Sequence, residues 1–100
     1  MDNERLFERS DVEQLACALC SLSDVQDCAA LLIDLCTPRE ICELAQRLQV
    51  ARLLDEGAPY VEVQARTGAS STTVCRVSKA LNGSCGGYRR LLVKLEDGSW

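Results

Sequence analysis

The residues of this chain best equipped for recognition chemistry stand in a row: Ser70, Ser71, Thr72 and Thr73, with Arg76 and Lys79 following at helical spacing. Small hydroxyl side chains approach a ligand closely and bond to phosphate or base edges, while a Thr methyl can touch a thymine methyl. Arg and Lys add the positive charge that a phosphate backbone requires. Just upstream, Tyr60, Gln64 and Arg66 fall on a short segment that Thr67-Gly68-Ala69 separates from the hydroxyl run. Two short helices joined by a glycine turn make a helix-turn-helix, whose second helix enters the major groove of DNA by its amino-terminal end. The same four hydroxyl residues also suit the cap of an ordinary surface helix, and spacing alone leaves both readings open.

Cysteine is the other reactive residue type. There are seven, and Cys17 and Cys20 have CxxC spacing. The chain contains no His and no second CxxC, and no βαβ pattern surrounds the pair, so zinc and thioredoxin-like chemistry are not expected. Cys28, Cys36 and Cys42 lie among leucines and read as reduced, small hydrophobic residues. Catalysis has no visible apparatus either: no His to act as base, no Gly-rich phosphate cradle and no paired carboxylates in a plausible order. The expectation is a non-enzyme with no metal and no cofactor.

The net charge of −4 runs against nucleic-acid binding until its distribution is considered. Residues 1–36 hold eight acids against Arg5 and Arg9, whereas over 57–90 Arg66, Arg76, Lys79, Arg89 and Arg90 face only Glu62. The basic half coincides with the hydroxyl run. No apolar stretch reaches the length of about 20 residues that a membrane span needs, and Asp2, Glu4 and Glu8 do not suit a signal peptide, so a cytoplasmic protein without a membrane partner is expected.

A hundred residues, rich in Leu, Ala and Val and with only four aromatics, predict one all-α domain of about six helices. Val12, Leu15, Leu19 and Leu22 form the stripe of an amphipathic helix from Glu4 to Leu22. Val25, Cys28, Leu32 and Leu35 repeat that spacing from about Asp24 to Leu35, with Ser23 as the expected cap. Thr37-Pro38-Arg39-Glu40 starts a third helix, with Ile41, Leu44, Leu48, Ala51 and Leu54 on one face and Gly57 as its stop. Val63 is the inward residue of the next segment. Ser70 caps the helix after it, which turns Val74, Val77 and Leu81 inward. After a break through Gly86-Gly87, Tyr88 to Leu95 makes a last helix on Leu91, Leu92 and Leu95, trailing into a frayed tail. The organisation expected is 1–57 for dimerisation, 58–82 for the helix-turn-helix and 86–96 for the carboxy-terminal helix.

The run from Leu31 to Glu40, followed by Ala45-Gln46-Arg47-Leu48 and by Gly68 to Ser78, resembles the Trp-repressor superfamily and in detail its YerC/YecD-type branch. The likeness covers roughly residues 25–95. It implies an intertwined homodimer that presents two recognition helices to a pseudo-palindromic operator in double-stranded DNA. In tryptophan-sensing members an indole lies between two arginines, which correspond here to Arg47 and Arg76, with Thr37 as a third ligand-site position. The residue after the second arginine is small in those members, but here it is Val77, which crowds the indole, and Ala80 replaces a hydroxyl residue. Val61 and Gln64 stand where sensing members carry basic residues, so phosphate contacts are fewer, and the remaining burden falls on Arg66, Lys79, Arg89 and Arg90.

The resulting expectation is a homodimeric DNA-binding regulator, in the first instance a repressor, working without tryptophan and with its small-molecule effector, if any, unidentified. The alternatives are an interaction module on the same scaffold that has lost DNA binding, and a tryptophan-responsive repressor.

Overall fold

A computed structural model describes residues 3–96, all of whose regular elements are helices. A single short turn, α1 (Asn3–Leu6), precedes six longer helices: α2 (Ser10–Cys20), α3 (Val25–Leu35), α4 (Pro38–Asp55), α5 (Tyr60–Thr67), α6 (Ser71–Leu81) and α7 (Gly87–Leu95). The all-α expectation therefore holds. The tail over 97–100, where fraying was expected, lies outside the described residues. The chain divides into two compact units, Met1–Pro38 and Arg39–Trp100.

In the first unit the single helix expected from Glu4 to Leu22 is broken at Arg9, whose backbone is extended, so that α2 starts afresh at Ser10. At this break Arg9 donates from Nε and Nη2 to the two Asp11 carboxylate oxygens, at 3.1 and 2.7 Å. That hydrogen-bonded guanidinium holds the Asp11 carboxyl below its ordinary pKa. The cap of α3 is Asp24 rather than Ser23. Asp24 is extended and its carboxylate accepts from the Gln26 amide at 3.1 Å, leaving Ser23 one residue too early to reach the orphan amides. Neither α2 nor α3 contains a buried residue, and Leu15, Leu19, Val25, Ile33 and Leu35 are all exposed.

The second unit holds the described core: Val50, Ala51 and Leu53 of α4, Val63 of α5, Ala69 of the turn, Val74, Val77 and Leu81 of α6, and Leu92 of α7. Val63, Val74, Val77 and Leu81 are inward as their spacing predicts. On α4 the expected face is inward in part: Ala51 is buried and Leu54 packs against the core, but Val50 and Leu53 are buried beside them and Leu44 is 45% exposed. Helix α4 is apolar on more than one side, so its own periodicity does not choose between faces, and only its carboxy-terminal half supplies buried residues. On α7 Leu92 alone is buried and Leu91 is exposed. Cys42, expected among the small hydrophobic residues, is exposed in the single chain, while Cys28 and Cys36 are half-buried.

Two left-handed glycines make the tight corners. The chain leaves α4 through Gly57 (φ 88°), where the Gly57 amide donates to the Leu54 carbonyl and the Ala58 amide reaches back to that of Leu53, both at 3.0 Å. This pair of bonds is a Schellman motif, and it satisfies carbonyls that the end of α4 would otherwise leave without a partner. Gly68 (φ 75°) closes α5, its amide donating to the Gln64 carbonyl at 2.9 Å. A methyl group at Gly68 meets nothing within 4 Å, so the cost of a side chain there is backbone conformation alone. Gly68→Ala is accordingly expected to destabilise the protein by about 1 kcal/mol, read as a lowered urea midpoint at unchanged slope, with Gly68→Asn costing less. A larger loss, or a changed slope, would mean that the turn depends on more than this dihedral angle.

Candidate nucleic-acid interface

The turn between α5 and α6 is built from its own side chains. Thr67 donates its hydroxyl to the Val63 carbonyl at 2.7 Å and accepts from the Ala69 amide at 3.2 Å, tying the end of α5 to the first residue after the glycine. Gln46 of α4 donates to the Thr67 carbonyl at 3.2 Å and anchors the corner on the longer helix. Ser70, extended at φ −71° and ψ 161°, accepts from the Thr73 amide at 3.2 Å, and its hydroxyl lies 3.1 Å from that of Thr73. Two of the four hydroxyls are thus engaged in starting the helix.

The other two point away from the core. Ser71, Thr72, Cys75, Arg76 and Lys79 occupy one side of α6 and line a shallow concavity of about 500 Å³, opposite the side on which Val74, Val77 and Leu81 are buried. Helical periodicity brings these five together, since residues three and four apart share a face. Arg76 and Lys79 form no ion pair with a described residue. The face is therefore positive and hydroxyl-rich, with side chains short enough at its amino-terminal end for close approach by a groove edge. Cys75 belongs to it, although the sequence reading passed over it. The signal was present in its position four residues after Ser71 and four before Lys79.

The remaining expected contacts are arranged differently. Tyr60, at the start of α5, donates its hydroxyl to Ser78 Oγ at 2.6 Å, pinning α5 against the flank of α6. Gln64 is half-buried and exposed Arg66 pairs with Glu62 at 3.5 Å. Both partners of that pair are half in solvent, so the bond is weak and Arg66 can exchange Glu62 for a phosphate. Arg89 is committed within the fold: Nε donates to the Leu81 carbonyl at 3.0 Å, Nη2 to Asn82 Oδ1 at 2.9 Å, and Nη1 reaches Asp55 Oδ1 at 3.4 Å. It caps the carboxy-terminal end of α6, where carbonyls lack helical partners and the helix dipole favours a cation. Arg90 and Lys94, one turn apart on α7, carry no such ties to a described residue.

Of the three residues matched to an indole site, Arg47 is half-buried on α4 and Arg76 is exposed on α6, both in the second unit, whereas Thr37 lies in the first. Val77 is 1% exposed within the core cluster, so its side chain fills space on the inner side of α6.

Comparison with known proteins agrees with this geometry. Residues 10–96 match the family model described as Trp repressor protein. The chain is 40% identical over 87 residues to the uncharacterized protein YerC of Bacillus subtilis (strain 168), covering 87% of this chain and 84% of that protein. Its fold superimposes on the crystal structure of a TrpR-like protein from Eubacterium eligens ATCC 27750 with a TM-score of 0.85 at 37% identity, over 94% of this chain and 95% of that one. A candidate Trp repressor from Staphylococcus aureus, also solved as a crystal structure, gives a TM-score of 0.87 at 33% identity, over 95% and 94% of the two chains. With most of its length matched in sequence and in fold, the chain belongs to the Trp repressor protein family.

Proposed function

We propose that this chain is a sequence-specific DNA-binding transcriptional regulator, a repressor that acts as a cytoplasmic homodimer without tryptophan as corepressor. The observation that carries the reading is the outer face of α6, where Ser71, Thr72, Arg76 and Lys79 are exposed and the two cations have no ion-pair partner among the described residues. Beneath them Val74 and Val77 are almost fully buried, so the helix is held rigidly by its other side. In this role Ser71 and Thr72 contact the groove edge, Arg76 reads a base or clamps a phosphate, and Lys79 binds the backbone. Ser70 and Thr73 position the helix start, Tyr60 sets the angle between α5 and α6, and Gln64 and Arg66 lie toward the flanking phosphates. Selection of bound sequences from random duplex DNA at low salt is expected to return a pseudo-palindromic site. On that site Thr72→Ala combined with Arg76→Ala should weaken binding by about tenfold or more, while Lys79→Ala flattens the salt dependence by about 0.9 in slope per phosphate released. Unchanged affinity in a folded double variant would assign the reading surface elsewhere.

Dimerisation is supported by the first unit. Its helices α2 and α3 contain no fully buried residue in the single chain, yet each carries an apolar stripe, with Leu15 and Leu19 both 45% exposed and Leu35 55% exposed. Such stripes at regular helical spacing need a partner surface, and a second copy of the chain supplies a matching one. Leu19→Asn is expected to convert the dimer to monomer in sedimentation equilibrium while the second unit keeps its fold. A monomeric wild-type protein at micromolar concentration would overturn the homodimer.

Exclusion of tryptophan rests on Val77, which stands where sensing members have a small residue and which is part of the core here. Titration of tryptophan into the protein with its selected DNA should leave affinity unchanged, and a tenfold gain would restore the tryptophan-responsive reading. A protein-interaction module is favoured by one observation on α5: Arg66 is paired with Glu62 and Val61 is 79% exposed, which leaves that helix short of free positive charge and long on apolar surface. A flat outcome in the DNA selection would select that reading.

A further inference from the structure

We propose that Cys75 is a specificity-determining residue of the concave face of α6, where it reads the methyl group of a thymine in the major groove. The inference rests on the reading of that face as a DNA surface and names the base chemistry that the face selects. Ser71, Thr72, Cys75, Arg76 and Lys79 are all exposed and together line one shallow concavity on the outer side of α6. Helical spacing puts Cys75 at its centre. Ser71 lies four residues before it, Thr72 three before it and Lys79 four after it, so each is its neighbour on the helix surface.

The residues around Cys75 carry strong hydrogen-bonding heads: two hydroxyls, a guanidinium and an ammonium. These suit phosphate oxygens and the polar edges of bases. A thiol is different, being a weak donor and a weak acceptor whose polarisable sulfur behaves as a small hydrophobe. The centre of the concavity is therefore where a polar base edge gains least and an apolar group gains most. Among the groups that base pairs present in the major groove, the thymine methyl is the apolar one.

Packing does not account for this side chain, since Cys75 is exposed while Val74 and Val77 beside it are buried in the core. Access favours a contact with bases. Cys75 sits one turn into α6, with the short Ser71 and Thr72 on the amino-terminal side and the long Lys79 beyond it. A recognition helix enters the groove by its amino-terminal end, so the short side chains leave the sulfur open to base edges. Arg76 and Lys79 are long enough to reach past it.

The test uses the full-length protein in reducing buffer and a duplex recovered by selection from random DNA. Its thymines are replaced by uracil one at a time, which removes the methyl group and keeps both the base pairing and the O4 acceptor. At one thymine position this is expected to weaken binding by the wild-type protein about fourfold, the worth of one buried methyl-sized group. Cys75→Ser, which keeps the size of the side chain and replaces sulfur by a polar oxygen, should lower that preference to below about twofold with an unchanged circular dichroism spectrum. A selected duplex with no methyl-dependent thymine, or a preference kept in Cys75→Ser and lost in Thr72→Ser, would overturn the assignment to Cys75 while leaving the DNA reading in place. Recovery of no duplex at all would sink that reading, and this inference with it.

Discussion

Burial of Val63, Val74 and Val77 against Val50 and Ala51 is the constraint on which the outer face of α6 depends. Helix α5 has 8 residues and α6 has 11, and helices shorter than about 12–15 residues are marginal by themselves in water. They persist because each contributes apolar side chains to one cluster, which fixes α6 in rotation and turns Ser71, Thr72, Cys75, Arg76 and Lys79 outward together. Filling that cluster with Val77 uses the inner side of the helix for packing. The same side chain that fixes α6 in rotation therefore fills the space on its inner side.

Polar side chains around this cluster divide into those that build the motif and those left for a partner. Thr67, Ser70, Thr73, Tyr60, Gln46 and Arg89 all spend their hydrogen bonds on the turn, on a cap or on the seam between helices. Buried or half-buried backbone groups at helix ends require such partners, and a side chain within reach is the cheapest source. Arg76, Lys79, Arg90 and Lys94 have no comparable obligation among the described residues. The division matters more for recognition than the overall charge of −4, because only uncommitted cations can neutralise phosphate without first giving up an internal bond.

The first unit presents the reverse case, with helices formed and apolar stripes in place but no core beneath them. A side-chain cap explains how α3 begins, at Asp24, whereas α2 starts at Ser10 after the extended Arg9, which pairs with Asp11. These helix starts leave Leu15, Leu19, Val25 and Leu35 exposed in the single chain, so the apolar stripes of α2 and α3 are not covered by the fold itself.

Much of this was legible in the residues themselves. Local rules act within a few positions, so Pro38 at the start of α4, Gly57 and Gly68 as left-handed stops, Ser70 as a cap and the inward spacing of Val74, Val77 and Leu81 could be read directly, and with them the all-α class and the helix-turn-helix. The break at Arg9 was not legible, because Val12, Leu15, Leu19 and Leu22 all follow it and their spacing does not say where the helix begins. Nor was the choice of Val50 and Leu53 on α4, whose periodicity allows more than one buried face until α5 and α6 settle against one of them. Arg89 shows the limit most clearly: as a letter in a basic half it counts as a phosphate ligand, and only the arrival of Leu81, Asn82 and Asp55 from other helices makes it a clasp. Which residues are free to meet a partner is decided by what lies beside them in space, and that proximity is set by tertiary packing, not by position along the chain.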